Sequence, residues 1–181
     1  LAGSSDAYRK LRNTFRYLLG ALADFSEEEK VPVAELPELE RYMLHRLAEL
    51  DATMRDVVDN RESDGWLEFS RYARALNDFA NADLSAFFFD IRKDCLYCDA
   101  PGDPRRRAYR SALDTLFHAL IRYAAPVLVY TGEEVWGTRY PEGGSVHLLE
   151  WPEVPATEAD LAKWAQLRSL REKVNEAIEP L

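Results

Sequence analysis

Two cysteines stand in a Cys-x-x-Cys motif, Cys95 and Cys98, which could bind zinc or cycle between thiol and disulfide. Zinc sites usually take four ligands, such as two cysteine pairs or one pair with two histidines. Here there is one pair, and His45, His118 and His147 are isolated from it and from one another. Because both cysteines continue an apolar stripe at helical spacing, the sequence favours buried packing, with an enzyme that uses the pair as an alternative.

Adjacent carboxylates, Glu133 and Glu134, are a second candidate, for acid–base chemistry. Adjacent positions on a helix diverge in direction, and acidic residues are favoured in the first turn of any helix. No serine or cysteine nucleophile is paired with a histidine in a recognisable motif. The glycine-rich phosphate loops of nucleotide-binding proteins are absent from the sequence. We therefore predict no catalytic residue in this chain.

Clustered positive charges suggest a third kind of chemistry, phosphate binding. The clusters are Arg9, Lys10, Arg12 and Arg16; Arg92 and Lys93; and Arg105, Arg106, Arg107 and Arg110. Cations at the start of a helix oppose the helix dipole, so the last cluster suggests an external anion. Guanidinium forks match the phosphate oxygens of RNA. Charge alone leaves open a solvated helix face or pairing with the acidic loop.

The composition limits the classes of protein to which the chain can belong. The 181 residues are 47% hydrophobic and 30% charged, which indicates a globular protein. No apolar run approaches the roughly 20 residues of a membrane span, and two cysteines favour a reducing compartment, so we expect a cytoplasmic protein. The net charge of −9 argues against nucleic-acid binding and supports a rival hypothesis, a helical bundle that binds proteins and not RNA.

The elements that would position these residues are helical, because apolar residues recur at spacings of three and four. We predict a first helix capped by Ser4, Ser5 or Asp6, and a loop from Asp24 to Pro37. The further predicted helices are Glu38 to Asn60; Trp66 to Ala80, with a kink or cap at 81–85; Leu84 to Cys98; one kinked or ended by Pro126; a short one capped by Thr131; and Thr157 to Ile178.

The run SVHLLEW is the one strand candidate. The expected fold class is all-α: a helical bundle with a small β/loop appendage and a trailing C-terminal helix. Prolines at 152 and 155 separate the trailing helix from the bundle, so we expect a domain at 1–152 and a separate segment at 153–181.

Four strings, taken in order, resemble the anticodon-binding domain of bacterial isoleucyl-tRNA synthetases, which are class I enzymes. They are DAYRKLRNTFRYLLG at 6–20, ALNDFANADLSAFFFDIRKDCLY at 75–97, LIRYAAPVLVYTGEEVW at 120–136 and SVHLLEWP at 145–152. The tail, with LRSLREKVNEAIE at 167–179, resembles the start of the C-terminal junction segment that follows the bundle in that family, which implies that 153–181 begins this segment. Cys95 departs from the arginine usual in that family, Val129 and Tyr130 from Pro-Phe, and Gly132 from alanine. Valyl- and leucyl-tRNA synthetases share the bundle, and their module is the nearest alternative.

The resemblance implies a fragment that positions tRNA for a parent enzyme, which ligates isoleucine to its tRNA using ATP. The HxGH and KMSKS motifs and the zinc-binding cysteines of that family are missing here, so ATP, magnesium and zinc are expected only in other parts of the parent. The expected partners are an isoleucine-accepting tRNA and the rest of the synthetase chain, without membrane contact. We expect a monomer.

The candidate tRNA contacts follow mainly from where the charge is placed. They are Arg9, Arg12, Asn13, Arg16, Lys93, Arg105, Arg106 and Arg107. Arginine and lysine would hold phosphates and fix the register of the anticodon arm. Bases in an exposed RNA loop are usually read by stacking and by hydrogen bonds to their edges, for which Asn77, Asn81 and Tyr97 also have the right chemistry.

Overall fold

The computed structural model describes residues 2–178 as a bundle of helices joined by loops. The elements are α1 (Ala2–Ala21), α2 (Glu38–Val58), α3 (Phe69–Asp78), a π-helical segment (Phe79–Phe89), α4 (Asp90–Cys98), α5 (Pro104–Ala124), α6 (Val129–Arg139) and α7 (Leu161–Ile178). Short 3-10 helices span Glu27–Glu29, Val33–Glu35 and Val146–Leu148. The predicted all-α class is confirmed, and α5 ends two residues before Pro126, as predicted.

The central element is α5, of which 14 of 21 residues are buried. It packs against α1, α2, α4 and α6. A helix at the surface of a bundle needs only one apolar stripe, whereas a helix surrounded by others must be apolar on most sides. Leu113, Leu116, Phe117 and Leu120 are among the core side chains that α5 contributes.

The chain stays helical from Phe69 to Cys98, and its middle third is π-helical. The kink or cap expected at 81–85 is therefore a wider helical turn and not a break. Seven of the eleven residues of this segment are buried, including Phe87, Phe88 and Phe89 in succession. The segment packs between α1 and α2, so side chains on more than one of its faces are covered.

Several predicted helix starts are wrong, including those of α1, α3 and α6. Helix α1 begins at Ala2, so Ser4, Ser5 and Asp6 lie inside it, and Asp6 pairs with Arg9 and Lys10 instead of capping. Thr131 lies inside α6, which begins at Val129. Helix α3 begins at Phe69 and not at Trp66, because the backbone of Leu67 adopts a left-handed φ of 60° that no helix continues through.

The predicted strand is also wrong: within residues 2–178 the appendage contains no strand. Val146–Leu148 is a 3-10 turn, in which the hydroxyl of Ser145 accepts from the amide of His147 and donates to the carboxylate of Glu133. A strand needs a paired neighbour, and none lies beside this run. Of its apolar residues, Val146 is buried beside α5 and α6, whereas Leu148 is 85% exposed.

The trailing helix starts at Leu161, four residues after the predicted Thr157. The residues before it run along α2, where the hydroxyl of Thr157 donates to the carbonyl of Arg41 over 2.9 Å and a ring nitrogen of His45 lies 2.8 Å from the carbonyl of Thr157. Those contacts explain the difference, because they bind the hydroxyl and the carbonyl of Thr157 to α2 outside the helix. In the part of the chain that the structure describes, no helix is long and apolar enough to cross a membrane.

Candidate nucleic-acid interface

One side of α1 presents a row of basic and polar side chains, which we call the α1 basic face: Arg9, Arg12, Asn13 and Arg16. All four are exposed. They recur at spacings of three and four, so they share one side of the helix. The opposite side carries Leu11, Phe15 and Leu18, all buried in the core. Burial of the apolar stripe therefore fixes the basic face towards solvent.

Arg12 is held in place by α6. Its guanidinium donates to both carboxylate oxygens of Glu134, over 3.0 and 3.3 Å, and to the hydroxyl of Tyr8 over 3.3 Å. The Glu134 hydrogen bonds raise the pKa of Arg12, with Tyr8 contributing less. The pair is exposed on both sides, so it contributes little to stability. Its consequence is an oriented guanidinium at the junction of α1 and α6.

Arg16 and Asn13 lie beside Arg12 along the same groove. Neither side chain forms a hydrogen bond or ion pair with any residue from 2 to 178. Together with Thr131 and Val135 of α6 they line a groove of about 380 Å³. Arg9 lies one turn away and pairs over 2.6 Å with Asp6, an exposed pair that solvent weakens. The groove thus offers guanidinium and amide donors that are not committed to the fold.

The arginines at the start of α5 are in a different environment. The carboxylate of Asp103 caps the helix by accepting from the backbone amides of Arg105 and Arg106, over 2.8 and 3.3 Å. The guanidinium of Arg105 pairs with Asp99, and these hydrogen bonds lower the pKa of the Asp99 carboxyl. The unfavourable placement of cations at this helix start is therefore offset by carboxylates of the chain itself.

Arg106 and Arg107 hold neighbouring backbone segments. Arg106 donates to the carbonyl of Leu96, near the end of α4, over 3.2 Å. Arg107 donates to the carbonyls of Glu28 and Glu29, over 2.9 and 3.3 Å. Both side chains therefore make intramolecular contacts, the alternative to RNA binding that charge patterning left open. An RNA contact at either arginine would compete with its hydrogen bonds to backbone carbonyls.

Arg110, the last member of that cluster, is buried and not part of any surface. It donates to the carbonyl of Ala21 over 3.0 Å and to the carboxylate of Glu29 over 2.5 Å, and so closes the end of α1. Charge patterning could not separate this arginine from its exposed neighbours. The sequence feature that indicates its burial is its position on the apolar side of α5.

The candidate contacts do not all line one pocket. The groove on the α1 basic face and a second pocket of about 550 Å³, lined by Lys30, Arg92, Arg105 and Arg107, share no residue. Lys93 lines neither pocket; it lies on α4, where it pairs with Asp90 over 2.9 Å. The groove on the α1 basic face is therefore lined by none of the candidate residues of α4 and α5.

Two aromatic side chains extend the candidate interface. Tyr97 lies one helical turn after Lys93 and is 73% exposed, so its ring is free to stack. Tyr130, which is not among the RNA contacts predicted from the sequence, is 91% exposed at the start of α6. The amide of Asn77, by contrast, donates to its own helix at the carbonyl of Ala73 over 2.9 Å. Helical spacing alone does not distinguish an exposed aromatic side chain from one that packs in the core.

The groups considered for catalysis have structural roles. Glu133 accepts from Ser145 while Glu134 accepts from Arg12, so the two carboxylates diverge, as expected. Cys95 is buried, and burial raises the pKa of its thiol to about 11, which leaves it protonated at neutral pH. Cys98 is exposed where α4 ends, so the predicted burial is wrong for this residue.

Among the residues described, 2–178, no group of three or more His, Cys, Asp or Glu side chains is placed to hold a metal ion. Cys95 is thus a free thiol buried in the core, and Cys98 is a free thiol exposed to solvent.

Residues 40–181 match a protein family described as the anticodon-binding domain of tRNA ligase. The chain is similar to isoleucine–tRNA ligases along nearly its whole length. The ligase of Zymomonas mobilis subsp. mobilis is 59% identical over 189 aligned residues, which cover 100% of this chain and 19% of the ligase. Those of Agrobacterium fabrum and Caulobacter vibrioides are 51% and 48% identical, over 96% and 99% of this chain and 18% of each ligase. The chain spans about a fifth of the length of these relatives.

Proposed function

The chain belongs to the anticodon-binding domain family of tRNA ligases, and on that premise we propose that it binds the anticodon arm of an isoleucine-accepting tRNA as part of a longer isoleucine–tRNA ligase. The observation that carries the proposal is the α1 basic face, where Arg12 and Arg16 line a groove and Arg16 has no partner among residues 2–178. In this role the chain positions tRNA and performs no chemical step itself.

An acidic chain can bind RNA only where its positive charge is concentrated. Much of the negative charge lies between Asp24 and Asp64 and in the tail. At physiological salt, exposed charges separated by more than about 8 Å are largely screened, so a phosphate responds mainly to the groups near it. Phosphates along the α1 basic face would therefore meet Arg9, Arg12 and Arg16. In the groove, Arg12 is already oriented by Glu134, and Arg16 has no partner among residues 2–178.

Base recognition would use the polar and aromatic groups beside those cations. Unstacked bases of an RNA loop stack on exposed aromatic rings and bond along their edges. Asn13 offers both an amide donor and a carbonyl acceptor within the groove. Tyr97 offers a solvent-exposed ring next to the cation of Lys93. These are the residues that we propose to contact bases, whereas the arginines contact phosphates.

The reaction itself belongs to the proposed parent enzyme, which would join isoleucine to its tRNA at the expense of ATP. ATP, magnesium and zinc would be bound by parts of that ligase outside this chain, and we propose that the ligase is a monomer of the cytoplasm. Similarity to three isoleucine–tRNA ligases favours isoleucine over the valine or leucine module. Membership of an anticodon-binding family favours RNA over a protein partner.

Fluorescence anisotropy with labelled tRNAs tests the proposal. We expect the chain to bind isoleucine tRNA more tightly than a non-cognate tRNA at low salt. The affinity should fall as salt rises, because phosphate contacts release counterions from the RNA. Equal affinity for the two tRNAs would contradict isoleucine specificity. Binding that does not respond to salt would contradict docking through phosphates.

A further inference from the structure

The ion pair that orients Arg12 also occupies its guanidinium. The two terminal nitrogens, Nη1 and Nη2, donate to the two carboxylate oxygens of Glu134, over 3.0 and 3.3 Å. Arginine binds phosphate in the same two-pronged arrangement, because the oxygens of phosphate and of carboxylate both fit the planar fork of the guanidinium. Glu134 therefore lies where an RNA phosphate would pair with the end of the Arg12 side chain.

Glu134 can be displaced from Arg12 at little cost. The side chains of Arg12 and Glu134 are 48% and 58% exposed. An exposed ion pair shifts an equilibrium constant by a factor of only about 1.4 to 5. A phosphate that replaces the carboxylate restores a charge-assisted pair to the arginine, and solvent hydrates the released carboxylate. Glu134 is therefore a competitor that RNA can displace and not a permanent partner of Arg12.

Arg12 keeps a second contact when Glu134 leaves. Its Nη1 atom also donates to the hydroxyl of Tyr8 over 3.3 Å, and this hydroxyl lies 3.0 Å from the hydroxyl of Thr131. Thr131 is buried in α6, so the partner of the Tyr8 hydroxyl does not depend on Glu134. Loss of the Glu134 pair therefore leaves Arg12 at the groove, where its guanidinium is available to another acceptor.

The groove on the α1 basic face favours a ligand that carries several phosphates. Asn13 and Arg16 line it with side chains that are unpaired among residues 2–178. Arg16 follows Arg12 by four residues and lies on the same side of α1. An RNA strand held by Arg16 has its neighbouring phosphates at a high effective concentration near Arg12. A single small anion lacks that second contact and must compete with Glu134 unaided.

We infer that Glu134 is a specificity-determining residue of this groove. In the unbound chain its carboxylate occupies the Arg12 guanidinium, and the phosphate backbone of RNA displaces it when tRNA docks. Specificity commonly requires an element that opposes binding. Here the carboxylate opposes every anion, so that RNA, which also contacts Arg16, still binds while an isolated phosphate is excluded. The inference rests on the proposed function, since it takes the α1 basic face as the place where tRNA docks.

A double-mutant cycle measured by fluorescence anisotropy tests the inference. The unaltered chain, Glu134→Gln, Arg12→Ala and the double variant are titrated with isoleucine tRNA at low salt. We expect Glu134→Gln to bind about two- to fivefold more tightly, because the exposed ion pair no longer competes. In the Arg12→Ala background most of that gain should disappear, because Glu134 acts through Arg12. Glutamine has nearly the shape of glutamate, so urea denaturation should show unchanged stability.

Glu142→Gln is the matched control for the change in charge. Glu142 is exposed, does not line the groove and forms no ion pair with residues 2–178. Because the substitution removes one negative charge without touching Arg12, we expect an affinity within about 1.5-fold of that of the unaltered chain.

Competition by inorganic phosphate at constant ionic strength is an independent readout. Inorganic phosphate should displace tRNA from Glu134→Gln at a lower concentration than from the unaltered chain, because an isolated anion then meets an unoccupied guanidinium. Equal sensitivity of the two proteins to inorganic phosphate would contradict the role in specificity.

Unchanged or weaker tRNA binding by Glu134→Gln would overturn the inference. So would an equal gain in the Arg12→Ala background or in Glu142→Gln, because Glu134 would then act only through the net charge. The proposed function is judged by a different comparison, the preference of the unaltered chain for isoleucine tRNA over a non-cognate tRNA. The effect of Glu134 is judged between variants on one tRNA, so the two failures are distinguishable.

Discussion

Arg92→Met is expected to lower the free energy of unfolding by about 3–5 kcal/mol, because it would leave the buried Glu40 carboxylate without a counter-charge. The side chain of Glu40 is 0% exposed, and Arg92 donates to both of its oxygens over 2.6 and 2.9 Å. The pair joins the first turn of α2 to α4 across the core. Urea denaturation followed by circular dichroism measures the change.

Two further variants make that result specific. Lys93→Ala removes the adjacent cation, whose pair with Asp90 is exposed, and should change stability by less than about 0.5 kcal/mol. The double variant Glu40→Met with Arg92→Met should recover much of the loss, since apolar residues of similar volume can replace a buried ion pair. If Arg92→Met costs no more than Lys93→Ala, the pair does not hold α2 to α4.

Replacing the three arginines of the α1 basic face, Arg9, Arg12 and Arg16, with alanine is expected to weaken tRNA binding at low salt by at least about tenfold. Even one lost hydrogen bond to a charged group is worth roughly 1.5–3 kcal/mol. Stability should change little, because the ion pairs of Arg9 and Arg12 are exposed. Anisotropy gives the affinity and urea denaturation gives the stability.

The control must remove the same charge elsewhere. Arg61, Arg74 and Lys173 are exposed and lie outside the α1 groove, so their replacement with alanine shifts the net charge equally. We expect the control to retain most of the affinity. An equal loss in both variants would show that net charge and not the α1 basic face governs binding. The α5 arginines are unsuitable here, since Arg106 and Arg107 also hold backbone carbonyls.

Helical periodicity was sufficient to predict the bundle. The apolar residues of α2 and α5 recur as a packed helix requires, and Pro126 stops α5 for a reason local to the chain. The same periodicity separated the buried stripe of α1 from its basic face. These predictions succeeded because they depend only on the directions of side chains along a single helix, and the spacing of residues in the sequence determines those directions.

Several of the errors share one cause, which is contacts between residues far apart along the chain. Arg107 meets carbonyls at Glu28 and Glu29, 79 and 78 residues away, and no local pattern reveals that. SVHLLEW has the composition of a strand, yet Val146 packs singly against α5 and α6. The π-helical turn around Asp83 likewise depends on α1 and α2 on either side, and on Arg46 and Arg168, which reach its carboxylate.

Site-specific crosslinking tests the central claim, that the α1 basic face receives the anticodon arm. An isoleucine anticodon stem-loop carrying 4-thiouridine would be irradiated with the chain, and the linked peptides identified by mass spectrometry. We expect crosslinks to the α1 peptides around Arg12 and Arg16, reduced when those arginines are replaced with alanine. Crosslinks confined to peptides away from α1, and unchanged in that variant, would contradict the claim.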